Sequence, residues 1–434
     1  MKPVKVGICG LGTVGGGTFN VLQRNADDIS RRVGVDVTVT HVGARRDNPN
    51  CDTSAITVSR DIFDVVTDPE IDIIVELIGG YDVARELVLK AIENGKHVVT
   101  ANKALIAVHG NEIFAAAEAK GVVVAYESAV AGGIPIIKAL REGLTANKIN
   151  WLAGIINGTG NFILTEMRDK GRDFADVLAE AQALGYAEAD PTFDVEGIDA
   201  AHKLTILASI AFGIPLQFER AYTEGITKIT REDVEYAEEL GYRIKHLGVA
   251  AQTEDGVELR VHPTLIPESK LLANVNGVMN AVLVDGDAVG QTMYYGAGAG
   301  AEPTGSAVIA DIVDLARAVA TGTAPQVPHL GYRSDALSDT QVVDVEKVQT
   351  SYYLRMQALE QPGVLAKVTN ILGEKGINIE AISQKETPEE YVPVIILTQC
   401  VQEQKMNEAI AAIEALDAII GSVTRIRVEH FSDK

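Results

Sequence analysis

Over the first 130 residues, short apolar runs alternate with stretches whose apolar positions recur every three or four residues. The runs at 4–9, 35–42, 71–78, 97–100 and 122–126 predict strands, and the periodic stretches at 16–25, 84–93 and 104–120 predict helices. Gly95 and Gly121 stand just past the ends of the last two helices. Strands that are apolar along nearly their whole length belong to a parallel sheet covered by helices on both faces. Ligands of such sheets lie outside the carboxyl ends of the strands, so segments 10–15, 43–46, 78–81 and 100–103 should converge on one crevice.

From about residue 131 the pattern changes. Helical stretches at 174–184, 198–212 and 231–240 mix with strands at 150–156, 243–251 and 258–265, which reads as an α+β domain inserted in the first or appended to it. A glycine-alanine cluster at 296–300 precedes a helix at 306–321, and its small residues allow close approach to a ligand or to another helix. Residues 321–344, with Gly322, Pro325, Pro328 and Gly331, read as a connector. The tail predicts strands at 352–358, 379–386, 391–398 and 423–428 with helices at 363–373 and 406–415. That β-α-β-β-α-β order fits a ferredoxin-like fold. The expected division is 1–130, completed by 301–325, then 131–300, a connector at 326–348, and 349–434.

Chemistry enters first at the turn after strand 4–9. Gly10-Leu11-Gly12-Thr13-Val14-Gly15 is a G-x-G-x-x-G between a strand and a helix, the start of a Rossmann-type dinucleotide-binding unit. Gly10 permits the tight turn, Gly12 lets backbone N–H groups reach a pyrophosphate, and Gly15 lets the helix pack closely on the sheet. Arg45 and Arg46 follow the second strand, where an arginine can hold a 2′-phosphate; this favours NADP over NAD, unless both are merely solvated on a turn. Lys103 follows a strand's carboxyl end, aimed into the crevice or placed as a solvated helix-start lysine.

The segment 185–203 concentrates Glu188, Asp190, Asp194, Glu196 and Asp199 ahead of an almost wholly apolar helix. Asp194 is a candidate cap for that helix. Asp199 and Lys203 are four residues apart on one face, either a structural ion pair or a lysine tuned for acid–base work by carboxylates near a low-dielectric pocket. The small-residue loop 127–135 offers Glu127 and exposed carbonyls to a monovalent cation, or is an ordinary strand-to-helix loop. Asn157-Gly158-Thr159-Gly160-Asn161 either contacts a ligand or starts a helix capped by Asn157 or Thr159.

A chain of 434 residues is long enough for two or three domains. Its net charge of −22 argues against nucleic acid and anionic membranes as partners. Three scattered cysteines without metal-ligand spacing suit a reducing cytoplasm, and neither a signal peptide nor a membrane span is expected. With no zinc cluster in the pattern, polarising a carbonyl falls to lysine.

The segments 10–15, 100–103, 127–135, 154–161, 185–203 and 296–300 occur in the order found in homoserine dehydrogenases, and the chain resembles that family over about residues 4–325. The tail resembles an ACT domain through Glu360-Gln361-Pro362-Gly363-Val364-Leu365 and Gly376-Ile377-Asn378-Ile379, although Glu360 stands where an aspartate is common. The whole resembles the monofunctional bacterial form, with no kinase segment expected ahead of residue 1. The resemblance implies hydride transfer between NAD(P) and the pair L-homoserine and L-aspartate 4-semialdehyde, in threonine, methionine and isoleucine biosynthesis. By motif, Lys203 would exchange the proton at the substrate oxygen, with Lys103 and Asp199 beside it. Glu188 would hold the substrate amino group, with Asp194 nearby, and Gly300 would approach the nicotinamide. Glu127 with the carbonyls of Val130, Gly132 and Ile134 would hold sodium. A homo-oligomer, dimer or tetramer, paired partly through 131–300, and threonine as effector at the tail are further implications. Two other readings stay open here: another Rossmann oxidoreductase of amino-acid metabolism, and a non-enzymatic nucleotide and amino-acid sensor.

Overall fold

The computed structural model describes residues 2–323, 327–385 and 390–431. Ala324, Pro325 and Gln326 of the expected connector, and Glu386 at the end of the expected strand 379–386, lie outside the described residues.

The first unit is built on β1 (Val4–Cys9), β2 (Val37–Gly43), β3 (Thr57–Ser59), β4 (Ile73–Glu76), β5 (His97–Thr100) and β6 (Val124–Ala125). The six strands are parallel in the order β3-β2-β1-β4-β5-β6. Strand order reverses between β1 and β4, and that switch opens a crevice at the carboxyl ends. Both faces are buried. Val65, Leu87 and Ile106 cover one, and Phe19, Leu22, Ile312 and Leu315 the other. The last two belong to the long helix Ala301–Thr321, so a distant stretch of chain closes the sheet. Sequence pattern missed β3 and the helix Ala26–Val33. β3 is only three residues long, and the helix shows an apolar face of only three positions, Ala26, Ile29 and Val33, among charged neighbours.

The rest of the chain forms one sheet of eleven strands. The middle unit contributes β7 (Ile149–Ile155), β8 (Tyr222–Thr223), β9 (Tyr242–Thr253), β10 (Gly256–Pro267), β11 (Met279–Gly286) and β12 (Gly290–Ala297). The tail contributes β13 (Gln349–Leu359), β14 (Ile379–Gln384), β15 (Tyr391–Thr398), β16 (Val401–Gln402) and β17 (Ile419–Val428). The main path runs β12-β11-β7-β9-β10-β17-β13-β15-β14. The hairpin β11–β12 was not expected. Its outer strand is a half-exposed edge carrying Gln291 and Thr292, so apolar alternation is weak there.

The tail has the ferredoxin-like order, with helices Val364–Glu374 and Glu403–Glu414 packed against its own core of Tyr352, Leu354, Val368, Met406 and Ile413. It does not hang free. β17 pairs in parallel with β10, Thr264 opposite Arg427 and Leu265 opposite Val428, so the sheet passes from one unit into the next.

Candidate active site

The turn after β1 is shaped by what it lacks. Gly10 has φ +102°, and a Cβ on Gly15 would lie 2.0 Å from the Gly10 carbonyl oxygen. Gly12 precedes the helix Thr13–Arg24, and no atom lies within 4 Å of where its Cβ would be. Open backbone at a helix N-terminus fits the pyrophosphate of a dinucleotide. The cleft above it, about 900 Å³, is bordered by Gly10, Gly12, Arg45, Arg46, Asn48 and Tyr81. Asn48 ties its far wall to the turn by donating to the Leu11 carbonyl at 3.0 Å. Arg45 and Arg46 are exposed on the rim, and neither makes an ion pair among the described residues.

A second recess of about 410 Å³ continues from the cleft past β4 and β5, bordered by Val14, Glu76, Tyr81, Asn102, Lys103 and Phe193. Asn102 caps the helix Lys103–Lys120 through its side-chain oxygen and donates to the Gly80 carbonyl at 2.7 Å. Lys103 is thereby fixed at the helix start, pointing across to the middle unit. There its Nζ meets Asp199 at 3.0 Å and lies 5.9 Å above the Phe193 ring.

Asp199 opens the helix Ile198–Phe212, and Lys203 lies one turn on. Lys203 Nζ donates to Asp199 at 2.7 Å and to the Ile156 carbonyl at 2.7 Å. One carboxylate, 3% exposed, therefore sits between two ammonium groups. Asn157 completes the cluster, its amide reaching Asp199 at 2.8 Å and Asp194 at 2.7 Å, while its oxygen accepts from Gly160 N–H at 2.7 Å. Of the two readings of this turn, the helix start is observed, capped by Asn157, whose amide also reaches the carboxylates of Asp194 and Asp199.

The lysines differ electrostatically. Burial pulls the Lys203 ammonium below the ordinary lysine value, Asp199 offsets this only in part, and the positive charge of Lys103 adds to the lowering. Lys103 moves the other way, raised by Asp199, with Asp194 and Glu188 adding to it. Burial alone would raise the Asp199 carboxyl, but Lys203 and Lys103 hold it well below the usual carboxylate range. One lysine gives up its proton more readily than usual, and the other is a fixed positive charge.

The structure corrects one assignment. Asp194 does not cap the helix of Lys203. A short helix, Thr192–Val195, intervenes, and the capping position is Gly197, in the left-handed region without a side-chain cap. Asp194 instead accepts from Asn157, and burial raises its carboxyl. Glu188 is exposed, and its charge reaches Lys103. Gly300 directly precedes the helix Ala301–Thr321.

In the loop 127–135 the Glu127 carboxylate is directed to the amides of Ile137 and Lys138, at 2.9 and 2.8 Å. The carbonyls of Val130 and Gly132, in buried residues, accept no hydrogen bond among the described residues. Ala131 and Gly132 both have positive φ, 53° and 48°, which turns the chain sharply between them. Burial pushes the Glu127 carboxyl up to about 7, and Asp311 adds to it. Carbonyls without a partner on buried residues fit a small monovalent cation, while the Ile134 carbonyl already accepts from Ile136 N–H at 2.8 Å and Lys138, 3.6 Å from Asp311, offsets part of the negative charge.

Sequence reasoning missed Glu76, which with Asp72 is one of two acids in the apolar run 71–78 and the one that falls inside β4. It is buried at the end of β4, accepts from Ile78 and Gly79 N–H at 2.9 and 3.0 Å and from Thr100 Oγ1 at 2.6 Å, and so shapes both recess loops. A lone acid inside a buried strand was its signal. Tyr81, Phe193 and His202 were also unassigned. The His202 ring stacks on Phe218 at 4.1 Å and lies 5.3 Å from Phe193.

Known proteins share this arrangement of segments. Residues 135–313 match the family described as homoserine dehydrogenase, 10–127 its NAD-binding domain, and 352–415 the ACT domain. The homoserine dehydrogenase of Pseudomonas aeruginosa is 70% identical over 434 residues, covering 100% of both chains. A crystal structure of a homoserine dehydrogenase from Thiobacillus denitrificans is similar with a TM-score of 0.95 and 64% identity, covering 100% of this chain and 99% of that one. A hyperthermophilic archaeal homoserine dehydrogenase in complex with NADPH is similar at TM-score 0.62 and 26% identity, over 72% of this chain and 98% of that one. With all three segments matched in order and relatives this similar along its whole length, the chain belongs to the homoserine dehydrogenase family, oxidoreductases that act on a CH–OH group.

Proposed function

We propose that Lys203 is the acid–base group of this enzyme and that the dinucleotide it uses is NADP. The observation that carries the reading is the Asp199 carboxylate held between Lys203 at 2.7 Å and Lys103 at 3.0 Å, beside the recess that continues the dinucleotide cleft. The bound dinucleotide supplies one thing, uptake of a hydride from the substrate's CH–OH carbon in oxidation and its return in reduction. The chain's residues handle the proton. In oxidation, neutral Lys203 takes the hydroxyl proton as the carbonyl forms; in reduction, its ammonium gives the proton to the developing alkoxide. Asp199 fixes both lysines, and Lys103 supplies a constant positive field at the oxygen. Glu188 and Asp194 hold the substrate ammonium.

Gly10, Gly12, Thr13, Val14 and Gly15 receive the pyrophosphate, Gly300 approaches the nicotinamide, and Arg45 and Arg46 pair with a 2′-phosphate. Their exposure on the cleft rim supports this, as does the NADPH bound by the archaeal relative. Sodium sits on the carbonyls of Val130, Gly132 and Ile134 with Glu127 beside it, supported by the orphaned Val130 and Gly132 oxygens. The ACT unit takes an amino acid, threonine, near the turn of Glu360, Gln361 and Pro362, which borders a recess of about 150 Å³. The enzyme works in the cytoplasm as a homodimer or tetramer, in threonine, methionine and isoleucine biosynthesis. No helix among the described residues is long and apolar enough to cross a membrane.

One set of initial rates tests the reading: reduction of NADP or NAD by homoserine, with and without threonine, in sodium or choline salts. Faster turnover with NADP, inhibition by threonine and dependence on sodium are expected. Absence of homoserine-dependent reduction with either dinucleotide refutes the reading, and a preference for NAD removes the role of Arg45 and Arg46.

A further inference from the structure

The junction between the ACT unit and the middle unit is organised by one fully buried guanidinium. Arg427, on β17, is 0% exposed. Its Nε and Nη2 donate to the two carboxylate oxygens of Glu403 at 2.8 and 2.5 Å, on the tail's own helix Glu403–Glu414. Its Nη1 donates across the junction to Glu224 at 2.8 Å. The guanidinium lies 5.0 Å over the Tyr222 ring, and the Tyr222 hydroxyl donates to the same Glu224 oxygen at 2.8 Å. Arg425 reaches that oxygen as well, at 3.4 Å. A single carboxylate of the middle unit is thus clasped by two arginines of the ACT unit.

Glu224 leads directly to the acidic turn. Its carbonyl accepts from His246 Nε2 at 2.9 Å, and its N–H donates to the Val261 carbonyl at 2.8 Å, so its backbone is fixed on both sides. Its neighbour Gly225 lies so close to Glu196 that a Cβ there would be 2.3 Å from a carboxylate oxygen. Ile226 N–H donates to the Val195 carbonyl at 2.9 Å, and Thr227 Oγ1 to Glu196 at 3.1 Å. Val195 and Glu196 end the short helix of Phe193 and Asp194, and Asp199 follows three residues after Glu196.

We infer that Arg427 is a positioning residue for the substrate site, acting through Glu224 on the turn that carries Asp194 and Asp199. Buried arginine keeps its charge and its two-pronged geometry, so a shift of β17 must carry Glu224 with it or leave buried charge unpaired. The route ends at the carboxylates and never touches the glycine turn of the dinucleotide cleft. Whatever displaces β17 therefore alters binding of the amino-acid substrate and spares the dinucleotide. The inference rests on the placement of the substrate at this turn proposed above.

A second buried ion pair across the same junction provides the control. Arg355 on β13 contacts Asp233 at 2.6 Å, Asp233 being 0% exposed, on the helix Arg231–Glu239, and the two bond Thr230 at its start but no residue of 192–199 among the described residues. The test compares Arg427→Met with Arg355→Met in the full-length enzyme, by steady-state kinetics and by hydrogen exchange of the amides of residues 194–197. Arg427→Met is expected to raise KM for homoserine about fivefold, to leave KM for the dinucleotide within about twofold, and to speed exchange in the turn. Arg355→Met is expected to leave both readouts as in the wild type. An unchanged homoserine KM and unchanged exchange in Arg427→Met overturn the inference, as does an equal response from Arg355→Met. If Arg427→Met does not fold, Glu224→Gln, which keeps an acceptor for Arg427, is expected to shift KM in the same direction by less; no shift overturns the inference. A wild type inactive on homoserine would sink the proposed function instead, and the exchange readout would still judge Arg427.

Discussion

The molecule contains two buried charge clusters, each joining two of its units, and they are built in opposite ways. Around Asp199 one carboxylate faces two lysines; around Arg427 one guanidinium faces two carboxylates. Burial is nearly complete in both, Asp199 at 3% exposed and Arg427 at 0%. Proton affinity separates them. Burial lowers Lys203, and its partner recovers only part of the loss. Burial would lower Arg427 too, but bonds to Glu403 and Glu224 more than reverse it. The surroundings differ as well. The Lys103 end of the first cluster borders an open recess, whereas every arm of Arg427 is occupied by protein. The first cluster thus joins a cation of lowered proton affinity, Lys203, to one that borders a recess, Lys103, and the second has neither.

Substitutions at the two clusters should therefore fail in different ways. Lys203→Met is expected to lower kcat about 10²–10⁴-fold while the dissociation constant for the dinucleotide stays within about twofold. Asp199 keeps Lys103 and Asn157 as partners, so the folded state should tolerate the change. A kcat near that of the wild type would make the first cluster structural, like the second. Glu403→Ala should chiefly cost stability, about 3–5 kcal/mol in denaturant unfolding, because Arg427 loses its two-pronged partner inside the protein. A loss below about 1 kcal/mol would mean that the junction is more hydrated than its burial implies, and the contrast between the clusters would shrink.

How much of this could be read from the sequence depends on whether a feature is local. The glycine turn is legible because its constraint is covalent and close by: Gly10 and Gly15 meet within one turn of chain. The Asp199–Lys203 pair is legible because helix geometry places residues four apart on one face. Lys103 was visible as a lysine at a strand's end, but its meeting with Asp199 crosses two units and 96 positions of chain (199 − 103). The cap at Asn157 was open from sequence, but its bonds to Asp194 and Asp199 were not, because they join residues 37 and 42 positions apart. Asp194 was misread as a cap because nothing in the pattern announced the four-residue helix Thr192–Val195 in between. The Arg427 junction was illegible, because its partners Glu224 and Glu403 are ordinary acids until the sheet brings them together.

In the proposed reaction Lys203 exchanges the substrate's hydroxyl proton at a proton affinity below that of an ordinary lysine, 10.5. Oxidation needs the neutral amine, which becomes more abundant as pH rises through the lowered value; reduction needs the ammonium and falls over the same range. The direct measurement is the pH dependence of kcat for homoserine oxidation in the wild type and in Lys203→Met. A rate that climbs to a plateau with its midpoint below 10.5, and a residual rate in the variant without that limb, is the predicted result. The same limb persisting in Lys203→Met would contradict it.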